Sequence, residues 1–268
     1  MGLSKSKRSV VTPTYKRDAK RNPEYKDLEP TDATQYRALV ARANYLAQDR
    51  SDIKFAVKEL SRRMAKPQDV DMEALKRLAR YLNGCPRAIS TFARQNLQKF
   101  MVGWSDSDWA GCVDTRKSTS GGVILLGSHV IKTWSSTQDV ISLSSGEAEY
   151  YAIVKMGSQC LGLQAMLRDL DYDTRIHIKT DATAAMGTSL RRGLGKARHI
   201  EVNQLWIQDR IARGEFGIEK VDGTKNVADA LTKCCESDSL QLHIAGVGLQ
   251  FREDRHPIAP VTAVPDQG

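Results

Sequence analysis

Four acidic residues, Asp106, Glu149, Asp181 and Asp229, stand far apart in this chain. Each sits inside its own phrase: W-S-D-S-D-W-A-G, S-S-G-E-A-E-Y, I-K-T-D-A-T-A-A and N-V-A-D-A-L-T-K. Carboxylates gathered at one point hold hard divalent cations through oxygen, and a pair of such cations drives in-line attack of water on a phosphodiester. Metal-dependent nuclease chemistry is therefore the expectation, provided the intervening sequence folds so as to bring the acids together. Taken singly, each acid is equally well a surface carboxylate or a helix cap, and Asp229 is the one that capping alone would explain most simply.

The elements between the phrases suit that task. Residues 100–105 read as a strand that delivers Asp106. A turn-rich stretch, 111–122, leads to strands at 123–126 and 130–135, a hairpin across Gly127-Ser128. Residues 144–169 place Ala148, Tyr151, Ala152, Met156, Leu163 and Met166 near one face, the spacing of a long amphipathic helix, and Glu149 lies on it. A strand at 176–180 ends on Asp181. Helices at 182–190 and 200–213, a strand at 216–221 and a last helix at 227–234, which carries Asp229, complete the series. The order βββαβααβα predicts an α/β fold: a mixed five-stranded sheet with flanking helices. Asp108 shares strand parity with Asp106 and competes with it. Glu147 competes with Glu149, but two residues apart on a helix they cannot share a face.

Upstream, residues 32–84 read as a small three-helix segment with apolar stripes such as Tyr36, Val40 and Ala43, or Ala56, Val57 and Leu60. Asp32 and Ser51 suit N-caps, Pro67 separates the second and third helices, and Gly84 suits a stop. Arg62, Arg63, Lys66, Lys76, Arg77 and Arg80 make the outer faces basic, fit either to grip phosphates or simply to be solvated. The expected organisation is a basic extended arm over 1–31, the helical segment over 32–97, the α/β domain over 98–235 and a loose proline-containing tail over 236–268. The chain has 268 residues, 41% of them apolar, a net charge of +8 and five unpatterned cysteines. A core can be buried, the basic excess favours a polyanionic partner, and no apolar run is long enough for a membrane span. Reduced thiols without a secretory segment lead to the expectation of an intracellular protein, cytoplasmic or nuclear and not secreted. The opening M-G-L-S-K-S matches the short N-myristoylation pattern. Motifs of that length match by chance, and the plain reading is a reading frame that opens within a longer coding sequence.

The placement of the four acids resembles the ribonuclease H fold. The wording is closer still to the ribonuclease H region of copia-type LTR retrotransposon Pol polyproteins: beside the acidic phrases stand R-K-S-T-S-G, W-S-S-T-Q and R-H-I-E-V, in the expected order between about residues 103 and 233. Y-R-A-L-V-A-R-A-N-Y-L-A, S-D-I-K-F-A-V-K-E-L-S-R-R-M and A-L-K-R-L-A-R-Y-L-N-G resemble the connection segment between reverse transcriptase and ribonuclease H in the same polyproteins. The polymerase's aspartate-pair motif is not in the chain, which implies a C-terminal part without polymerase activity.

The resemblance implies that Asp106, Glu149, Asp181 and Asp229 together hold two Mg²⁺, with Mn²⁺ as a substitute. One ion would lower the pKa of the attacking water and the other would stabilise the leaving 3′ oxygen, cutting RNA within an RNA–DNA hybrid. It favours Asp106 over Asp108 and Glu149 over Glu147. The hybrid is the implied partner, with a reverse transcriptase polymerase domain as a second. Arg116, Lys117, Ser118, Thr119 and Ser120 form a basic, hydroxyl-rich loop suited to phosphate and 2′-hydroxyl contacts, or a capped turn with solvated charge. Gln138 is a candidate for the groove, as are Trp134, Ser135 and Ser136, although Trp134 suits the core better. His199 is a candidate for phosphate binding or product release, or a neutral capping histidine. The chain departs from the family pattern at Leu205 (usually histidine), Ala182 (usually Asn) and Cys112 (usually acidic). Residues 223–226 are too short for the histidine loop of many cellular ribonucleases H. A catalytically silent hybrid-binding remnant is the rival reading.

Overall fold

The computed structural model describes residues 9–16, 25–195 and 199–253. The myristoylation pattern and the prolines after residue 254 lie outside the described residues. In chain order the elements are α1 (Pro30–Leu46), α2 (Lys54–Ser61), α3 (Asp69–Gly84), β1 (Arg87–Ser90), β2 (Phe100–Asp108), β3 (Thr119–Leu126), β4 (His129–Thr137), α4 (Ser145–Arg168), β5 (Arg175–Thr180), α5 (Thr183–Leu190), α6 (Trp206–Ala212), β6 (Phe216–Lys220), α7 (Ser237–Gly246) and β7 (Leu249–Arg252).

The five expected strands form one sheet in the order β4-β3-β2-β5-β6. The β2–β3 and β3–β4 pairs are antiparallel, while β2–β5 and β5–β6 are parallel. Alternation along β3 feeds two cores: Ile124 turns toward α4, and Val123 turns the other way, toward the helical segment. Against the first face α4 buries Tyr150, Ile153 and Met156 on Met101, Ile176 and Ile178. It comes so close to β2 that a Cβ at Gly103 would lie 2.4 Å from Met156 Sδ. Only glycine permits that approach, and the approach sets the height of Glu149 over the sheet.

Two expectations need correction. Over the described residues 236–253 the segment expected as a loose tail is ordered structure. Leu240 and Ile244 of α7, with Val247 and Leu249, are buried in the same core as Tyr36 and Leu78. β7 pairs antiparallel with β1. His243 is fully buried: its Nδ1–H donates to Val227 O (2.7 Å) and its Nε2 accepts from the Ser51 hydroxyl (2.9 Å). The prolines that suggested a tail all lie beyond residue 254. The helix expected at 227–234 is instead a single 3-10 turn, Asp229–Leu231. Asn226 Oδ1 accepts from Ala228 N (3.1 Å), and the Thr232 hydroxyl shares its one proton between Asp229 O (3.0 Å) and Asp106, side-chain bonds that compete with helix formation.

The helical segment is clasped to the sheet by α2 and the residues just after it. Lys54 Nζ donates to Thr133 O (2.8 Å) and Lys58 Nζ to Thr119 Oγ1 (2.7 Å). Arg62 donates to Cys112 Sγ, and Arg63 pairs with Asp114. Arg77 donates to Thr12 Oγ1 (2.9 Å), holding residues 9–16 of the basic arm against α3. Much of the basic face that suggested phosphate binding is thus committed to internal partners. Among the described residues no helix is long and apolar enough to cross a membrane.

Because α7 completes a core, Leu240→Ala should lower the unfolding free energy by about 2–5 kcal/mol in urea titrations. A loose tail would give a change within about 0.5 kcal/mol.

Candidate active site

Parallel pairing of β2 with β5 sets Trp104 opposite Lys179. Two residues further along each strand come Asp106 and Asp181, so the register itself brings two carboxylates to the carboxyl end of the sheet. Glu149 is lowered onto them by α4. One oxygen from each of Asp106, Glu149 and Asp181 lies within 4.8 Å of the others.

The first two acids are deeply set. Asp106 is buried; it accepts from the Thr232 hydroxyl and, at 3.5 Å, from Asn226 Nδ2, which also donates to Ser105 O (3.0 Å). Glu149 Oε1 accepts from Ser107 N (3.1 Å), while its Oε2 is buried and has no hydrogen-bond partner among the described residues. Burial, reinforced by Asp106 and Asp181, pushes the Glu149 carboxyl up to about 9. Burial, opposed by the Thr232 hydrogen bond and reinforced by Asp229 and Asp181, pushes Asp106 up to about 7. A group of carboxylates this close and this dry resists ionising without a cation. The orphaned Oε2 and the hard-oxygen donor set fit a divalent ion there.

The remaining candidates divide. Asp229 stands outside the three-carboxylate group; its side chain pairs with Lys233, although it lies close enough to raise Asp106. Asp108 is also outside the group. Glu147 is spent on the start of α4: its Oε2 accepts from Leu143 N (2.9 Å) and its N–H donates to Ser144 Oγ (3.2 Å). His199 Nε2 lies 2.8 Å from the same Glu147 oxygen, at a cleft of about 290 Å³ shared with Ser144, Tyr150 and Thr188.

The basic loop is only partly available to a ligand. Arg116 is exposed and Lys117 half-buried. Ser118, Thr119 and Ser120 are buried and serve internal bonds, to Ala110 N (3.1 Å), Lys58 Nζ (2.7 Å) and Gln138 Nε2 (2.9 Å) respectively. Gln138 is buried too, its amide donating to Ala148 O (2.8 Å) and so tying the end of β4 to α4. These four are positioning residues in this structure, where the sequence suggested a groove. Trp134 packs against the α4 core, as its aromatic bulk suggested.

Asn226, Thr232 and Lys233 are the site residues that sequence reasoning missed. All three lie in the phrase N-V-A-D-A-L-T-K, three residues before and three and four after Asp229. The phrase was therefore the available signal, but a helical reading of it hid which side chains turn back to β2.

Three antiparallel strands, two parallel strands added through helical crossovers, and acids at the carboxyl ends of β2 and β5 and on α4 define an α/β domain with the ribonuclease H-like fold. The chain's homologues are copia-type Pol polyproteins of transposons, at about 30% identity over most of its length. It is 30% identical over 230 residues to the retrovirus-related Pol polyprotein from transposon RE1 of Arabidopsis thaliana, covering 84% of this chain and 16% of that one. The corresponding protein of transposon RE2 from the same plant is 31% identical over 207 residues, covering 75% and 14%. That of transposon TNT 1-94 from Nicotiana tabacum is 29% identical over 202 residues, covering 75% and 15%. The chain thus spans about one-sixth of the length of these curated relatives. No protein-family model matches it. Similar solved structures include an N-terminal ribonuclease H domain from Mycobacterium tuberculosis, 16% identical, covering 54% of this chain and 95% of that one at a TM-score of 0.38. A ribonuclease H1 isolated from compost and solved with an RNA/DNA hybrid is 15% identical, covering 49% and 93% at a TM-score of 0.36.

Without a cation, the raised carboxyls make the folded chain hold more protons than the unfolded chain, whose acids titrate near 4. Stability in EDTA should therefore fall as pH rises from about 4 to about 9 and level off above. Glu149→Gln should raise Tm at pH 9 and remove the upper part of that slope, read by thermal denaturation across pH.

Proposed function

We propose that this chain hydrolyses the RNA strand of RNA–DNA hybrids endonucleolytically, as the ribonuclease H part of a retrotransposon Pol polyprotein. Asp106, Glu149, Asp181 and Asp229 would hold two divalent ions, Mg²⁺ with Mn²⁺ as a substitute. The observation that carries the reading is the group of three carboxylates, two of them buried, in which Glu149 Oε2 has no hydrogen-bond partner among the described residues. Divalent ions bound there supply a lowered pKa for the attacking water and neutralise charge at the leaving oxygen.

The chain's own residues hold that arrangement. Thr232 and Asn226 orient Asp106, and Ser107 N fixes one oxygen of Glu149. Lys233 sits at the edge of the acids, paired with Asp229 and near Asp106 and Asp108. Its release from Asp229 would free that carboxylate to join the other three. Arg116 and Lys117 reach outward, where backbone phosphates of a hybrid would lie. A polymerase domain of the same polyprotein is the natural partner for delivering the hybrid.

One observation favours the rival, a silent hybrid-binding remnant: Asp229 pairs with Lys233 outside the group of three. Incubation of the full chain with a labelled RNA–DNA hybrid and Mg²⁺ separates the two. The enzyme reading expects cuts in the RNA strand only, with 5′-phosphate products, and no cutting of single-stranded or duplex RNA. Asp181→Asn and Glu149→Gln should each lower the rate at least about a hundredfold. Salt-sensitive hybrid binding without any cutting would instead establish the remnant.

A further inference from the structure

We infer that Trp109 is a substrate-contacting residue, its exposed ring lying against the sugar and base edge of a nucleoside next to the phosphate at the carboxylate group. This rests on the hydrolase reading above and extends it to a residue outside the acids and the basic loop.

The turn after β2 is built at some cost. Ala110 stands at φ 53°, a left-handed conformation uncommon for a residue with a side chain. Its N–H is held by the buried Ser118 hydroxyl at 3.1 Å. Gly111 wraps so closely over Asp108 that a Cβ there would lie 1.6 Å from Asp108 Oδ2. Backbone of this kind persists where the surroundings over-determine it, and it clusters at functional sites.

What this turn presents is Trp109, 47% exposed. The indole N–H donates to Ser142 O (2.9 Å), so one ring edge is tethered while the ring stays in water. The tethering loop is itself fixed from below. Ser142 Oγ donates to Gln138 Oε1 (3.0 Å), and Leu143 N donates to Glu147 Oε2 (2.9 Å). Ile141 and Leu143, on either side of Ser142 in sequence, are exposed as well, at 54% and 68%. The result is an apolar lip tied down by three hydrogen bonds.

Two things select a nucleic acid as the occupant. Trp109 lies three residues beyond Asp106, so their Cα atoms are at most about 11 Å apart. A phosphodiester at the carboxylate group brings its adjoining nucleosides within that range. The same connection between β2 and β3 also carries the exposed Arg116 and the half-buried Lys117. An aromatic face with flanking cations is a sequence-tolerant way to hold a nucleoside and its phosphates. The wide, shallow minor groove of an A-like duplex offers sugars and base edges to such a ring.

The test measures hybrid binding by the full chain, with Ca²⁺ replacing Mg²⁺ to hold off cleavage, and then kcat and KM in Mg²⁺. Trp109→Ala should raise Kd and KM about tenfold, with the effect on KM and not on kcat. Trp109→Phe, which keeps a ring but loses the N–H tether, should stay within about threefold. The intrinsic fluorescence change on adding hybrid should be lost in Trp109→Phe. Unchanged binding by Trp109→Ala would overturn the contact. So would a Phe variant as damaged as Ala, since that assigns the effect to the tether on Ser142. A chain that binds hybrid without cutting it, and loses that binding in Trp109→Ala, supports the contact while overturning catalysis. A chain that binds no hybrid at all overturns both.

Discussion

Mutual repulsion among three carboxylates, two of them buried, is the constraint around which the rest of the structure is arranged. Asp106 and Glu149 sit where burial alone penalises their charge, and Asp181 joins them within 4.8 Å. The surroundings compensate only in part, through Thr232 and Asn226 on Asp106 and Ser107 N on Glu149. A bare Glu149 oxygen is left over. Buried polar atoms without partners are uncommon, and one on a member of an acidic group asks for a cation. The site is strained when empty of charge compensation, which is the condition a metal-binding site needs.

That strain is tolerable because the scaffold holds the acids from three directions. The parallel β2–β5 register fixes Asp106 and Asp181 relative to each other. The close approach of α4 at Gly103 fixes Glu149 above them. The 226–232 segment then closes over the strand end through Asn226 and Thr232. None of these contacts is local in sequence. The segment is in turn supported by a second core in which Val227 and Leu231 pack with α1 to α3 and α7.

The upstream helices are therefore part of the site's foundation. Lys54 and Lys58 of α2 bond to β4 and β3, and Arg62 and Arg63 reach the turn that follows β2. The same turn holds Asp108 under Gly111 and displays Trp109. Gln138 performs a matching service on the other side, where its amide joins Ser120 of β3 to the first turn of α4. Polar groups that looked like substrate contacts are largely the ties that keep the site's elements in place, and the groups left facing solvent are few.

Much was legible in the amino-acid order alone. Alternation and helical spacing located the five strands of the main sheet and the helices up to α5, while the helix expected from residue 200 begins only at Trp206; a half-buried strand and an amphipathic helix each write their period into the residues. The four acidic phrases identified the family and three members of the carboxylate group. Tertiary structure decided what periodicity cannot carry. Burial of Ser118, Thr119, Ser120 and Gln138 depends on which elements cover them. The strand pair β1–β7 joins segments about 160 residues apart, each only four residues long, too short to show a pattern. The 227–234 phrase had a helix's apolar spacing, yet Asn226 and Thr232 also bond to Ser105 and Asp106 of β2, and the segment makes only one turn. Local sequence encodes the preference of a segment for its own backbone bonds; only the assembled neighbours determine whether a side chain outbids them.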